Sequence, residues 1–432
     1  MGKNDTAWEM LFSVHPVLEE IDRTGFYEIE AKTIKAVREP RLMAKFDHRS
    51  NLPDIFKKNS LSILPVSRSK YVLGKFNAYE SVSYNAQIEP KAIRLPSYIT
   101  SIDVSNLYSE SAALHCAYVT GMMEDLLGEQ CLPTISGRMS SKTFEFDIET
   151  ADAHEHRIQI DHSQVEIDGG YESKNQLLLV EAKKERVDDF LIRQLYYPYR
   201  LWQGKTHKEV RPVFFTYSND VFSFFVYEFV HPEKYNSLRL IEQRDYIIEH
   251  EKITFKDITD LLHRTPTKAE PPVPFPQADS FARVVDLLGL LVENDLSKEE
   301  ITTRYNFDSR QTNYYTAAGM YLGLLDRYEE RELRTISFKL TDKGRRMMGM
   351  PYKEKYLSLA SCILEHDVFK RVLHERVRTG RLPGRDIVIE MMKKCDLYKV
   401  GSESTYYRRS QTVIKWIDWL INLAQLKENR KY

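Results

Sequence analysis

Asp168, Glu181 and Lys183 have side-chain types and a spacing that suit metal-assisted hydrolysis of a phosphodiester. Asp168 ends one strand-like run in VEIDGGYE, and Glu181 and Lys183 occupy alternate positions of LLLVEAKK. Alternate residues of a strand share a face, and a hairpin can bring Asp168 beside them. Two carboxylates suit Mg²⁺, while a lysine can orient a water and offset charge at phosphorus. Glu166 shares a strand face with Asp168 and is the rival third carboxylate; Glu172, in the turn, is a weaker one.

The elements around these residues alternate between helical and strand patterns. Amphipathic spacing predicts a helix over 108–129, and apolar alternation or short apolar runs predict strands at 143–148, 156–168 and 176–182. A helix over 189–202 and strands at 211–218 and 221–230 follow. We therefore expect the order helix, three strands, helix, two strands. The alternative interpretation is a surface hairpin in which the acidic and basic side chains form ordinary salt bridges.

A zinc site is a second interpretation of the same region. His154 and His156 share a strand face, and His162 lies close in sequence. Histidines in a connection between strands are more often solvated, so we favour the carboxylate site. The sequence has no GxxxxGK[ST] loop, which argues against an ATP-driven motor.

The C-terminal region contains two helices with exposed polar positions that could read DNA. In SRQTNYYTAAGMYLGLL, the early helical positions resemble those that a helix-turn-helix places against base edges. In STYYRRSQTVIKWIDWLINL, a buried apolar stripe leaves cations on the opposite face. The segment 335–346 is interpreted as a wing, and Thr412 is expected to point outward. The candidate DNA-binding residues are Arg310, Gln311, Asn313, Arg408, Arg409, Gln411 and Lys415. A basic solvated helix or a three-helix packing module is the alternative.

Charge is distributed unevenly along the 432 residues. Residues 331–432 contain 23 Lys+Arg and 12 Asp+Glu, a net charge of +11, whereas 39 and 51 in residues 1–330 give −12. A basic segment is the electrostatic footprint of nucleic-acid contact. The apolar fraction of 42% predicts a globular chain, and no apolar run is long enough to span a membrane. The four separated cysteines argue against a disulfide framework. We expect a cytoplasmic protein.

Five prolines between Pro266 and Pro276 predict a linker. The predicted organisation is an N-terminal α/β region over 1–105 that is a candidate for DNA recognition, a catalytic core over 106–262 and a linker over 263–279. Two helical units over 280–350 and 351–432 complete it.

Blocks of sequence throughout the chain resemble type II restriction endonucleases that have a PD-(D/E)xK core, a mixed central sheet flanked by helices, followed by C-terminal winged-helix-like units. The blocks include REPRLMAKFD (38–47), LSILPVSRSKYVLGKF (61–76), TISGR (134–138), EIDGGYE, LLLVEAKK, RQLYYPYRLW (193–202), RQTNYYTAAGMYLGL and STYYRRSQTVIKWIDWL. Ile167 stands where the family motif has proline.

The resemblance implies Mg²⁺-dependent double-strand cleavage of DNA at a defined sequence. Asp168, Glu181 and Lys183 occupy the family's catalytic positions, with Asp168 and Glu181 as metal ligands. Glu110 lies on the preceding helix, where the fold often supplies a further acidic residue. Gln194 follows the ExK strand as a glutamine does in some related nucleases, and a DNA contact is the only role carried over to it.

The resemblance also implies partners. A palindromic target would suggest a two-fold homodimer, and a separate DNA methyltransferase would have to protect the host. Two rivals remain. One is a structure-directed repair or recombination nuclease, and the other is a winged-helix regulator in which the acidic residues and Lys183 are inert.

Overall fold

A computed structural model describes residues 2–85, 87–104, 107, 109–248, 252–304, 307, 309–330 and 335–425. The chain divides into two compact units. One comprises Met1–Lys91, Ala113–Tyr217 and Val221–Tyr246, and the other comprises Ala92–Ala112, Ser218–Asp220 and Ile247–Tyr432. The predicted class, α/β followed by mostly α, is confirmed at this level.

The N-terminal part of the first unit is a small sheet surrounded by short helices. Its helices are α1 (Lys3–Val14), α2 (Val17–Thr24), α3 (Ala31–Lys35), α4 (Pro40–Ala44) and α5 (Asp54–Lys58). The strands of the sheet are β1 (Phe26–Glu30), β2 (Ser62–Pro65) and β3 (Lys70–Gly74), and a further strand, β4 (Tyr79–Ser81), lies outside it. Strand β3 lies between β1 and β2 and is antiparallel to both.

The next part of the chain contains a larger mixed sheet together with strands that lie outside it. The strands in chain order are β5 (Lys91–Ile93), β6 (Cys131–Ser140), β7 (Phe144–Glu149), β8 (Glu155–Ile160), β9 (Gln164–Ser173), β10 (Gln176–Lys183), β11 (Asp189–Leu191), β12 (Glu209–Ser218), β13 (Val221–Phe229) and β14 (Leu238–Ile248). The helices are α6 (Glu110–Val119), α7 (Met122–Leu127) and α8 (Arg193–Gln203). Seven strands form one sheet in the order β5-β14-β13-β12-β10-β9-β6. Strand β10 is antiparallel to β9 and parallel to β12. Its central position explains why its sequence is a continuous apolar run.

One predicted strand is divided in the structure, and one strand was not predicted. The run 156–168 is two strands, because the chain turns between Ile160 and Gln164 with His162 in the left-handed region at φ 53°. The first of these, β8, pairs with β7 in a separate two-stranded sheet. The edge strand β6 was not predicted. Its pairing with β9 shifts register twice near Pro133 and Gly137, which obscures the alternation of its side chains.

The second unit is mostly helical. Its elements are α9 (Phe255–Arg264), α10 (Phe281–Glu293), β15 (Leu296–Ser297), α11 (Lys298–Arg304), α12 (Ser309–Tyr321), β16 (Leu325–Glu330), β17 (Thr335–Leu340), α13 (Asp342–Met348), α14 (Tyr352–Leu364), α15 (Asp367–Thr379), α16 (Arg385–Lys393) and α17 (Glu403–Gln425). The three short strands form a sheet in the order β15-β17-β16. The segment interpreted as a wing is the strand β17 followed by helix α13, which is capped by Thr341.

The proline-rich segment has neither helix nor strand between α9 and α10, as its prolines predict, but it packs within the second unit. Phe275 is buried and stacks on Phe369, with ring centroids 5.8 Å apart. The Trp416 indole N–H donates to the carbonyl of Ala278 at 2.7 Å. The segment is therefore an ordered part of the helical core.

Candidate active site

The site lies in the first unit, where β9 and β10 separate. Their ladder ends at the pair Gly169 and Val180. Beyond this pair, the backbone N–H of Ala182 on β10 donates to Oδ2 of the Asp168 side chain at 2.7 Å, not to a backbone carbonyl of β9. This contact fixes the Asp168 side chain against β10 at the point where the two strands stop pairing. The hairpin expected from the sequence does bring Asp168 to the ExK strand.

Glu181 and Lys183 lie on the same face of β10, as their spacing predicts. The Lys183 ammonium donates to Glu181 Oε1 at 2.6 Å, and the two side chains are 12% and 9% exposed. Gln194, on the first turn of α8, also donates its amide N–H to Glu181 Oε1 at 2.5 Å. Helix α8 thus helps to orient the glutamate, and Gln194 contacts the carboxylate directly.

Burial controls the protonation of both carboxyl groups. Loss of hydration raises the pKa of Glu181 to about 8, because it outweighs the favourable charge of Lys183, and the charge of Asp168 adds to the shift. Burial likewise raises the pKa of Asp168, and Lys183 and the Ala182 N–H only partly oppose it. A cation held by these carboxylates would favour their charged forms and so oppose the effect of burial.

A further carboxylate, Asp47, belongs to the same neighbourhood and was not singled out from the sequence. Burial acts to raise its pKa, but the charges of Lys183, Lys45, His48 and Arg193 together outweigh burial and lower it. The negative charge of Asp47 in turn raises the pKa of Glu181. The only sequence signal was its position at the end of the block REPRLMAKFD.

The other predicted acidic residues have separate positions. Glu166 is exposed and accepts from Arg138 Nε at 3.0 Å, although its charge still raises the pKa of Asp168. Glu172 accepts from Lys208 at 2.5 Å. Glu110 is the half-buried first residue of α6 and falls in the second compact unit, so its role in the site stays a prediction.

The three histidines of the zinc interpretation have different surroundings. His154 lies 3.2 Å from Asp152, and His162 lies 2.7 Å from Asp161, both as exposed pairs. His156 packs edge-on against Phe26, with centroids 6.3 Å apart. Over the described ranges, no three His, Cys, Asp or Glu side chains are grouped closely enough to hold a metal ion directly.

The donor set nevertheless fits Mg²⁺. Asp168 and Glu181 provide carboxylate oxygens, and Mg²⁺ is commonly held by one or two carboxylates while it retains several waters. One oxygen of Asp47, Oδ1, is buried and lacks a hydrogen-bond partner among the described residues. A buried carboxylate oxygen normally accepts a hydrogen bond from protein, water or a ligand.

The candidate DNA-binding residues of the second unit lie on α12 and α17. Arg310 and Asn313 are exposed on the first turns of α12, and Gln311 is half-buried. On α17, Arg408 and Lys415 are exposed.

The pKa of Arg409, on α17, is shifted by burial and by nearby charges. Burial is the main cause that lowers its pKa and the charge of Arg408 adds to this, whereas Tyr314 on α12 and Asp279 oppose it. Helices α12 and α17 both pack against α10. The two predicted groups of DNA-binding residues therefore lie on helices that share a packing partner.

Two polar residues of α17 are more constrained than the sequence suggests. Gln411 Oε1 accepts from Arg385, which restrains the orientation of the Gln411 side chain. The expectation that Thr412 points outward is wrong, because Thr412 is fully buried and its hydroxyl donates to Asp279 at 2.6 Å. Helical periodicity did not reveal that the segment before α10 packs against this side of α17.

The structure also bears on the membrane and disulfide predictions. Within the described part of the chain, no helix has both the length and the apolar character needed to cross a membrane. Cys116, Cys131, Cys362 and Cys395 are all free thiols.

Three segments of the chain are similar to protein families of unknown function. Residues 5–73 match a domain of unknown function (DUF6996), residues 74–247 match another (DUF6997), and residues 283–425 match a third (DUF7226). No curated protein and no solved structure matches the chain significantly. Asp168, Glu181 and Lys183 thus lie in the DUF6997 segment, Asp47 in the DUF6996 segment, and the candidate DNA-binding residues in the DUF7226 segment.

Proposed function

We propose that this chain is a type II restriction endonuclease, a Mg²⁺-dependent enzyme that hydrolyses both strands of DNA at a defined sequence. The observation that carries the proposal is the convergence of Asp168, Glu181 and Lys183 where the pairing of β9 with the C-terminal end of β10 stops. Three ionisable side chains at a largely buried position are costly without a task, and such groups concentrate at functional sites.

The order of elements supports a PD-(D/E)xK core. Helices α6 and α7, strands β6, β9 and β10, helix α8 and strand β12 follow one another as α-β-β-β-α-β, with the β7–β8 hairpin and the short strand β11 inserted. The first three of these strands are adjacent and antiparallel, and β12 is parallel to β10.

The proposed roles of the site residues follow from their positions. Asp168 and Glu181 would hold Mg²⁺, which supplies Lewis-acid stabilisation of charge on the scissile phosphate when it is bound. Lys183 is already within hydrogen-bond distance of Glu181, so its ammonium can orient the attacking water and stabilise negative charge at phosphorus. Gln194 restrains Glu181 through the same oxygen.

DNA recognition is proposed for the second unit. Helix α10, strand β15, helices α11 and α12 and strands β16 and β17 follow in the order typical of winged-helix domains. The early residues of α12 would face base edges, and the adjacent cations of α17 would contact phosphates. A two-fold homodimer and a separate host-protecting methyltransferase are parts of the same proposal.

The test is incubation of the purified protein with long unmethylated DNA in Mg²⁺ or in EDTA. Discrete bands only in Mg²⁺ would support a site-specific endonuclease, and sequencing of their ends would give the target. A smear would instead support a nonspecific or structure-directed nuclease. Intact DNA together with a gel shift would favour the non-catalytic regulator.

A further inference from the structure

The N-terminal segment after α4 is tied to the connection between β10 and α8. The Leu191 N–H donates to the carbonyl of Asp47 at 3.0 Å. His48 Nδ1 lies 2.5 Å from the carbonyl oxygen of Asp189, and the Arg49 N–H lies 3.3 Å from the Asp189 carboxylate. These contacts lock Asp47 beside the connection that follows the ExK strand.

The two oxygens of the Asp47 carboxylate have different surroundings. Its Oδ2 lies 3.6 Å from the ammonium of Lys45, whereas Oδ1 is buried and has no hydrogen-bond partner within the described residues. Asp47 is close enough to Lys183 and Glu181 for its charge to affect both. A buried carboxylate oxygen of this kind normally receives a hydrogen bond from protein, from water or from a bound ligand.

The surroundings of Asp47 contain both signs of charge. Asp168 and Glu181 lie near Lys183, and the charges of Lys183, Lys45, His48 and Arg193 all act on Asp47. A divalent cation held by Asp168 and Glu181 would supply ordered waters whose protons need acceptors.

We propose that Asp47 is a third carboxylate of the metal site and holds the divalent cation through a coordinated water. An indirect contact is required because the described residues contain no group of three carboxylates close enough to share an ion. The inference rests on the proposed function, since it assigns Asp168 and Glu181 as the direct ligands. The proposed role of Asp47 makes the N-terminal region part of the metal site. This region matches a different family from the segment that contains β9 and β10.

The test is Mn²⁺ binding to the full chain, measured by electron paramagnetic resonance in the absence of DNA. Asp47→Asn keeps the shape of the side chain and removes its charge. Asp22→Asn is the matched control, because Asp22 is an exposed carboxylate of the same unit that pairs with Lys75 at 2.7 Å. We expect Asp47→Asn to weaken Mn²⁺ binding by about tenfold or more, as loss of outer-shell partners does elsewhere, and Asp22→Asn to leave it unchanged.

Wild-type affinity in Asp47→Asn, combined with lost affinity in Asp168→Asn, would overturn this inference but leave the proposed function intact. No saturable Mn²⁺ binding by the wild type would overturn both. Circular dichroism shows whether each variant folds.

A second measurement uses only the wild-type protein. Fe²⁺ replaces Mg²⁺, and ascorbate with peroxide then cleaves the backbone close to the bound iron. Cuts near residues 45–49 as well as near Asp168 and Glu181 are expected. Cuts near Asp168 and Glu181 alone would overturn the role of Asp47, even if Asp47→Asn does not fold.

Discussion

Removal of Arg408 and Arg409 should flatten the salt dependence of DNA binding. Both arginines lie on the first turns of α17, where Arg408 is exposed and Arg409 is half-buried. Each phosphate contact contributes about 0.9 to the slope of log affinity against log salt, so loss of both contacts should reduce the slope by about 1.8. Between 50 and 200 mM salt, the double variant should therefore lose about twelvefold less affinity than the wild type does.

Fluorescence anisotropy with a labelled duplex in EDTA measures this slope without cleavage. The double variant Lys256→Ala/Arg264→Ala is a matched control, because it removes two exposed cations from α9 of the same unit. If Arg408→Ala/Arg409→Ala keeps the wild-type slope, or if the control lowers the slope equally, these arginines do not contact phosphate.

Three further predictions concern stability. In EDTA, the raised pKa of Glu181 means that the folded state keeps a proton that the unfolded chain loses, so this carboxyl lowers stability as pH rises from about 4.5 to about 8. In urea unfolding at pH 5, 6.5 and 8, the free energy of unfolding of Glu181→Gln should therefore increase relative to that of the wild type, by up to about 1.4 kcal/mol per pH unit. The same pH dependence of the unfolding free energy in both proteins would contradict this. Gly25→Ala should destabilise the protein by about 1–2 kcal/mol from the positive φ of residue 25 alone. The loss of stability should be larger than this because the new Cβ would lie 1.9 Å from the His156 ring. If the added substitution His156→Ala restores no stability in thermal melts, the clash with His156 is not the cause. Ser297→Ala should cost about 1 kcal/mol in chemical denaturation, because its hydroxyl caps α11 by accepting the Glu300 N–H at 3.2 Å, and an unchanged midpoint would rule out that contribution.

The convergence of Asp168, Glu181 and Lys183 was predictable because it depends on local rules. Alternation along β10 places Glu181 and Lys183 on one face, and a short turn returns the chain past Asp168. Likewise, the apolar stripe of α17 correctly predicted that Trp416 and Leu420 are buried.

Features that depend on distant or irregular parts of the chain were not predictable in this way. Asp47 reaches the site through contacts with Asp189 and Leu191, and no local pattern signals that pairing. Strand β6 escapes periodicity analysis because its register shifts near Gly137. The partner of Thr412 comes from the proline-rich segment, whose packing no local pattern predicts.

The most direct test of the central claim compares Lys183→Ala with wild type in the same cleavage and binding assays. Lys174→Ala is the control, because Lys174 is an exposed lysine in the turn of the same hairpin. We expect Lys183→Ala to cut DNA at least about 100-fold more slowly in Mg²⁺ while its affinity for the target changes little, and Lys174→Ala to cut like the wild type. Wild-type cleavage by Lys183→Ala would contradict the assignment of the active site.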